Sequence, residues 1–184
     1  KFEDNLARGV GGGCAILGAR AVMKSPSRSG GTFDENQAAA GGAIAVVGWA
    51  GCRATLKASG LELEHNLARE LGGGIGLIGL AVAQLQEGRL HQNLCKSSDG
   101  LGGAVGVRMG ARLMAKTTEF RKNRSKGTGG AVGAFNGSVV LADGCRLEEN
   151  VAMGGPGGGV FCISKPDPVL ERLMTLEAYE LPFV

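Results

Sequence analysis

The stretch "FDENQAAAGGAIAVVG", Phe33 to Gly48, sets an aromatic residue, an asparagine, a run of alanines and a glycine pair ahead of an apolar segment. Its near copies decide the fold. Aligned on the asparagine, the chain reads Phe2/Asn5, Phe33/Asn36, Leu63/Asn66, Leu90/Asn93, Phe120/Asn123 and Leu147/Asn150, with asparagine spacings of 31, 30, 27, 30 and 27. Two residues after each asparagine stands a small side chain: Ala7, Ala38, Ala68, Cys95, Ser125 and Ala152. Glycine pairs follow at Gly11–Gly12, Gly41–Gly42, Gly72–Gly73, Gly102–Gly103, Gly129–Gly130 and Gly157–Gly158. A fixed period of roughly 20–50 residues is the mark of a solenoid or array.

After each pair the pattern alternates. The second position holds Cys14, Ile44, Ile75, Val105, Val132 and Val160, and the fourth holds Ile16, Val46, Leu77, Val107, Ala134 and Cys162. Period-two alternation predicts a strand with these residues facing a core. A glycine follows in most copies, then a second apolar stretch such as Ala54–Leu56, Leu113–Met114 or Val139–Leu141, and a third strand leads up to Phe or Leu and ends at Asn. Three short strands per period describe one rung of a parallel β-helix, with rungs stacked about 4.8 Å apart. The fold class is all-β: a β-solenoid of about six rungs over residues 1–163, followed at 164–184 by a short helical cap or tail. Asp167 before Pro168 starts that helix, and Val169, Leu170, Leu173, Met174 and Leu176 form its apolar side. Stacking predicts that Asn5, Asn36, Asn66, Asn93, Asn123 and Asn150 bond amide to amide at one corner.

The motifs that stand here as "FDEN" with "GGAI" and "FRKN" with "GGAV" resemble the repeats of the chlamydial polymorphic outer membrane protein family, over residues 2 to about 162. The resemblance implies a right-handed parallel β-helix and a surface adhesin, hence an extracellular or cell-surface location. The alternative setting is a subunit of a large assembly.

The 34 glycines and eight aromatic residues among 184 suit a stacked core of small and branched side chains. Net charge is +3, too weak a field to argue for nucleic acid by itself. Five cysteines, at 14, 52, 95, 145 and 162, form no C-x-x-C pair and read as small buried hydrophobes. No apolar run reaches membrane-spanning length. "GIGLIG", Gly74 to Gly79, matches a dinucleotide-loop pattern, but corner geometry explains its glycines, and no cofactor is expected. Acidic residues gather before the asparagines at Glu3, Asp4, Asp34, Glu35, Glu64, Glu148 and Glu149. The column is broken by His91, Gln92, Arg121 and Lys122, and reads as solvated charge rather than a metal or catalytic site.

Two candidate docking features remain. Arg108, Arg112, Lys116, Arg121, Lys122, Arg124 and Lys126 crowd one stretch opposed by Glu119 alone, and a partly basic column of Arg8, Arg69, Lys96 and Lys126 follows the asparagines. Acidic protein or lipid headgroups suit this basic region; the scarcity of aromatics argues against single-stranded nucleic acid. Ala45, Gly76, Gly106 and Gly133 occupy outward strand positions and predict a flat docking strip covered by a partner, by another copy or by the chain's own tail, where replacement of the three glycines by Thr leaves the solenoid intact but abolishes the association. The function these features imply is a non-enzymatic interaction scaffold, adhesin-like or architectural, that docks on a protein partner or larger assembly. A polysaccharide lyase or hydrolase is the alternative, weakened by the lack of a continuous carboxylate, Arg and Lys constellation.

Overall fold

The computed structural model describes residues 1–24 and 31–164. Over these the chain is a parallel β-solenoid, and it contains no helix among the described residues. The expected C-terminal helix, residues 165–184, lies outside them. Four sheets run along the axis. Sheet A stacks Phe2–Glu3, Thr32–Asp34, Glu62–Glu64, Arg89–His91, Glu119–Arg121 and Arg146–Glu148. Sheet B stacks Gln37–Ala40, Leu67–Leu71, Leu94–Cys95, Arg124–Ser125 and Val151–Ala152. Sheet C stacks Cys14–Leu17, Ile44–Gly48, Ile75–Gly79, Val105–Arg108, Val132–Phe135 and Val160–Ile163. Sheet D stacks Arg20–Lys24, Ala54–Ser59, Ala81–Gln86, Arg112–Lys116 and Ser138–Leu141. With six strands in two sheets and five in the others, the described coil makes about five turns. Each turn has four strands rather than the three expected. The extra one, sheet B, is as short as Leu94–Cys95, too short for its alternation to show in the sequence.

Register is strict because each period stacks like on like. Phe2, Phe33, Leu63, Leu90, Phe120 and Leu147 pair in one column, and the first two rings stack at 4.5 Å. Opposite them stand Ile44, Ile75, Val105 and Val132, all fully buried. Leu56, Ala83 and Leu113 close the third side. Parallel sheets with their inner face dry require this continuous apolar stack.

At the corner between sheets A and B the asparagines form the predicted ladder. Asn66 Nδ2 donates to Asn93 Oδ1 at 3.0 Å and to the Phe33 carbonyl at 2.9 Å, and Asn66 N also donates to Asn93 Oδ1 at 3.1 Å. The same three bonds repeat at Asn36 and Asn123 with their neighbours. Asn36, Asn66, Asn93 and Asn123 have no exposed surface, so the amides satisfy backbone groups that the bend takes out of the sheet ladder.

The residue before each asparagine carries the bend. Asp4, Glu35, His65, Gln92, Lys122 and Glu149 all have φ between 51° and 54°, a left-handed backbone in non-glycine residues. That conformation costs roughly 1–2 kcal/mol per residue, against about 0.5–1 kcal/mol that a glycine loses in chain entropy. Glu35→Gly is therefore expected to raise the melting temperature by about 2 °C; an unchanged or lower value in a thermal scan rejects backbone strain at this corner.

The glycine pairs divide the next corner between them. Gly72 has φ 58°, whereas Gly73 lacks room: a Cβ there would overlap the Gly103 carbonyl and the backbone of Leu94. The first glycine supplies conformation and the second allows one turn to lie directly on the next.

Candidate docking faces

The four outer faces differ in charge and in what covers them. On sheet A, charges alternate up the stack. Arg89 Nη1 lies 3.5 Å from Glu62, His91 Nε2 3.4 Å from Glu119, and His65 Nδ1 3.2 Å from Asp34. Arg121 Nη2 donates to Glu149 at 2.9 Å and Lys122 Nζ reaches the same carboxylate at 3.6 Å. The bond from Arg121 holds the Glu149 carboxyl below the ordinary carboxylate range, and Glu149 in turn raises Arg121. Within the acidic column, Glu3 thus lies beside Lys1, Glu148 and Glu149 beside Arg121, and Asp34 and Glu64 beside the imidazoles of His65 and His91.

Sheet C is covered by the chain itself. Its outward strip, Ala45, Gly76, Gly106 and Gly133, is buried, which corrects the expectation of a flat face open to a partner. Ala40, Leu71 and Leu101, which precede the glycine pairs, form a second apolar cluster with Val10, Ile78, Phe135 and Phe161. A Cβ at Gly76 would stand 2.7 Å from Gly41 N, and one at Gly106 would stand 2.6 Å from Gly72 N. The close approach that strand glycines imply is real, but the approaching backbone is the neighbouring turn's own.

The basic stretch is likewise not one patch. Arg108 is on sheet C, where Nη2 donates to the Asp99 carbonyl at 3.3 Å. Arg112 and Lys116 lie on sheet D, Arg121 on sheet A, Lys122 at the A–B corner and Arg124 on sheet B, with Lys126 just beyond. Residues close in a solenoid's sequence run around its circumference; neighbours in space are one period away.

Among the described residues, two faces remain open. Sheet D turns Arg20, Val22 and Lys24; Thr55, Lys57 and Ser59; Val82, Gln84 and Gln86; Arg112, Met114 and Lys116; and Ser138 and Val140 outward. Its strands contain five cations and no carboxylate, and none of those cations makes an ion pair among the described residues. A shallow groove of about 560 Å³ crosses it, lined by Lys24, Lys57, Gln84, Met114, Lys116 and Val140 among others. Sequence reading found Arg112 and Lys116 but missed Arg20, Lys24 and Lys57. An alignment on the second apolar stretch, rather than on the asparagines, would have superposed Arg20, Thr55, Val82, Arg112 and Ser138. Sheet B exposes Arg8, Arg69, Lys96, Arg124 and Lys126, again without ion pairs among the described residues.

The cysteines carry no paired chemistry. All five are free, and burial pushes the Cys95 thiol up to about 11, which keeps it neutral. Among the described residues no three His, Cys, Asp or Glu side chains gather as metal ligands, and no helix is long and apolar enough to cross a membrane. Compared with family models, curated proteins and solved structures, the chain matches none.

Proposed function

We propose that this protein is a non-enzymatic interaction scaffold, a right-handed rod that docks on an acidic protein surface through sheet D. The observation that carries the reading is the contrast between faces: sheet A sets Arg89 and Arg121 beside carboxylates, whereas sheet D presents Arg20, Lys24, Lys57, Arg112 and Lys116 with no carboxylate in its strands. Unpaired like charges on one rigid face favour compact states poorly and steer an oppositely charged partner well. Val22, Met114 and Val140 between the cations give the face an apolar centre. The likeness of the repeat to chlamydial polymorphic outer membrane proteins supports an adhesin-like setting, and covered ends in a larger assembly are the architectural version of the same role.

Reversing Lys57 and Lys116 together to Glu is expected to leave folding intact, since both side chains are exposed. It should weaken binding of an immobilised polyglutamate peptide about tenfold or more at low salt, with the difference shrinking as salt rises. Equal binding by the parent and the double variant at low salt overturns the docking role of sheet D.

A further inference from the structure

The sheet D groove has an order along its length. Val22, Lys57, Gln84, Met114 and Val140 stack in one column, and Lys24, Ser59, Gln86 and Lys116 stack in the next. Met114 and Val140 make one end apolar, while Lys57 and Lys24, with Val22 between them, make the other basic; all five side chains are exposed. Adjacent turns are about 4.8 Å apart, so the five strands carry the groove over about 19 Å.

The described chain leaves the coil beside the apolar end. Ile163 O accepts from Asn136 N at 2.9 Å, and Asn136 stands two residues before the sheet D strand Ser138–Leu141. Residues 165–184 lie outside the described residues, but their sequence says what surface would suit them. They hold four carboxylates, Asp167, Glu171, Glu177 and Glu180, against the two cations Lys165 and Arg172. In the helix expected from Pro168 onward, residues four apart share a side, so Glu177 follows Leu173 and Glu180 follows Leu176 on the apolar side itself. Carboxylates set within an apolar side need cations wherever that side is buried.

Sheet D offers both kinds of partner. The last described turn offers the apolar kind, with Val151, Met153, Val160 and Ile163 exposed, but from Arg146 to Ile163 its single cation is Arg146, near Glu148 and Glu149. A second copy is excluded by charge, since two D faces would set five cations against five. Length agrees as well. Lys165 to Asp167, extended at about 3.3 Å per residue, reach from the corner to the groove. A helix begun over Val140 at Pro168 rises about 1.5 Å per residue, which puts Glu177 about 14 Å and Glu180 about 18 Å along it. Lys57 and Lys24 lie three and four turns from Val140, or about 14 and 19 Å.

We propose that residues 168–181 are the built-in occupant of the sheet D groove, with Val169, Leu170 and Leu173 over Val140 and Met114, Glu177 at Lys57 and Glu180 at Lys24. The tail is thereby an autoinhibitory pseudo-ligand: an acidic partner gains the face by displacing it. A tethered segment competes at an effective concentration of about millimolar, enough to set a threshold for partner binding. The regulatory half of this inference rests on sheet D being the docking face; the contact itself does not.

Two measurements on the full chain test it. Zero-length carbodiimide cross-linking of the monomer, read by peptide mass spectrometry, should join Glu177 to Lys57 and Glu180 to Lys24. The contact is overturned if neither glutamate links to Lys24, Lys57 or Lys116, or if the links form only between differently isotope-labelled copies. Glu177→Gln together with Glu180→Gln should then raise affinity for immobilised polyglutamate about fivefold or more at low salt, with the gain shrinking as salt rises. That gain should vanish when Lys57→Glu and Lys116→Glu are added, because the freed face is lost. Equal affinity of the double Gln variant and the parent overturns autoinhibition, and leaves the docking role of sheet D standing if polyglutamate still depends on Lys57 and Lys116. The cross-links found in a protein whose double Gln variant binds no polyglutamate would overturn both the docking role and the autoinhibition, and keep the tail as a structural cover.

Discussion

Asn93→Ala should cost about 3–4 kcal/mol, measured as the shift in urea-unfolding free energy, while Asn5→Ala costs about 1 kcal/mol or less. The difference follows from position in one ladder. Asn93 Oδ1 accepts from both Asn66 N and Asn66 Nδ2, and Asn93 Nδ2 donates to Asn123 Oδ1 and to the Leu63 carbonyl. All of these groups are buried, so truncation leaves Asn66 N–H without an acceptor and no water can replace the lost oxygen. An orphaned buried donor costs roughly 1–3 kcal/mol, and the weakened bonds at Asn123 and Leu63 add to it. Asn5 is exposed; among the described residues its side chain accepts no bond and its amide donates to Asn36 alone, while its backbone N–H keeps the bond to Asn36 Oδ1. Asn93→Asp is the sharper variant. It keeps the acceptor but replaces two donated bonds with a buried charge facing Asn123 Oδ1 and a carbonyl, and should destabilise at least as much as Ala. Equal losses at positions 5 and 93 would mean that the ladder does not hold the corner.

The ladder was legible because a solenoid writes its long-range contacts as a period. Phe33, Leu63, Leu90 and Phe120 recur three residues before asparagine, and the structure stacks them directly. The same property hid the faces. Alternation tells which residues of Ile75–Gly79 point toward the main core, but not that Leu71 and Leu101 turn back over the other side; Gly76 and Gly106 therefore read as outward and are buried. Charge clusters failed for the converse reason. Arg108 and Arg124 are 16 residues apart on the sequence yet lie on different sheets, whereas Arg69 and Lys96, 27 apart, are neighbours one turn from each other. In such a fold, a surface is found by reading down the columns of the aligned repeat, and a cluster along the chain is an annulus.

Replacing Gly76, Gly106 and Gly133 together with Thr should abolish cooperative folding, the reverse of what strand propensity alone predicts. Thr favours strands where its branched side chain has a face to pack on. Here the face is already occupied. The Cβ position of Gly106 lies 2.6 Å from Gly72 N and that of Gly133 2.5 Å from Gly102 N, distances set by backbone that is itself bonded: Gly72 N to Leu101 O at 2.9 Å and Gly102 N to Thr128 O at 3.0 Å. Relief would require the outer segment to move away from sheet C. Such movement would break those bonds and expose the cluster of Ala40, Leu71 and Leu101 in three turns at once. An overpacking substitution in a well-filled site typically costs about 1–3 kcal/mol, and more where the obstacle cannot move, so three Thr residues pressed on bonded backbone consume much or all of the roughly 5–15 kcal/mol that holds a domain of ordinary size. Gly9→Thr is the control, because nothing lies within 4 Å of its Cβ position; it should change stability by less than about 0.5 kcal/mol. Circular dichroism and urea unfolding of the two proteins decide the matter. A triple variant that unfolds cooperatively near the parent's midpoint would show that the outer segment can lift from the strip without loss, and the strip would again be open to a partner.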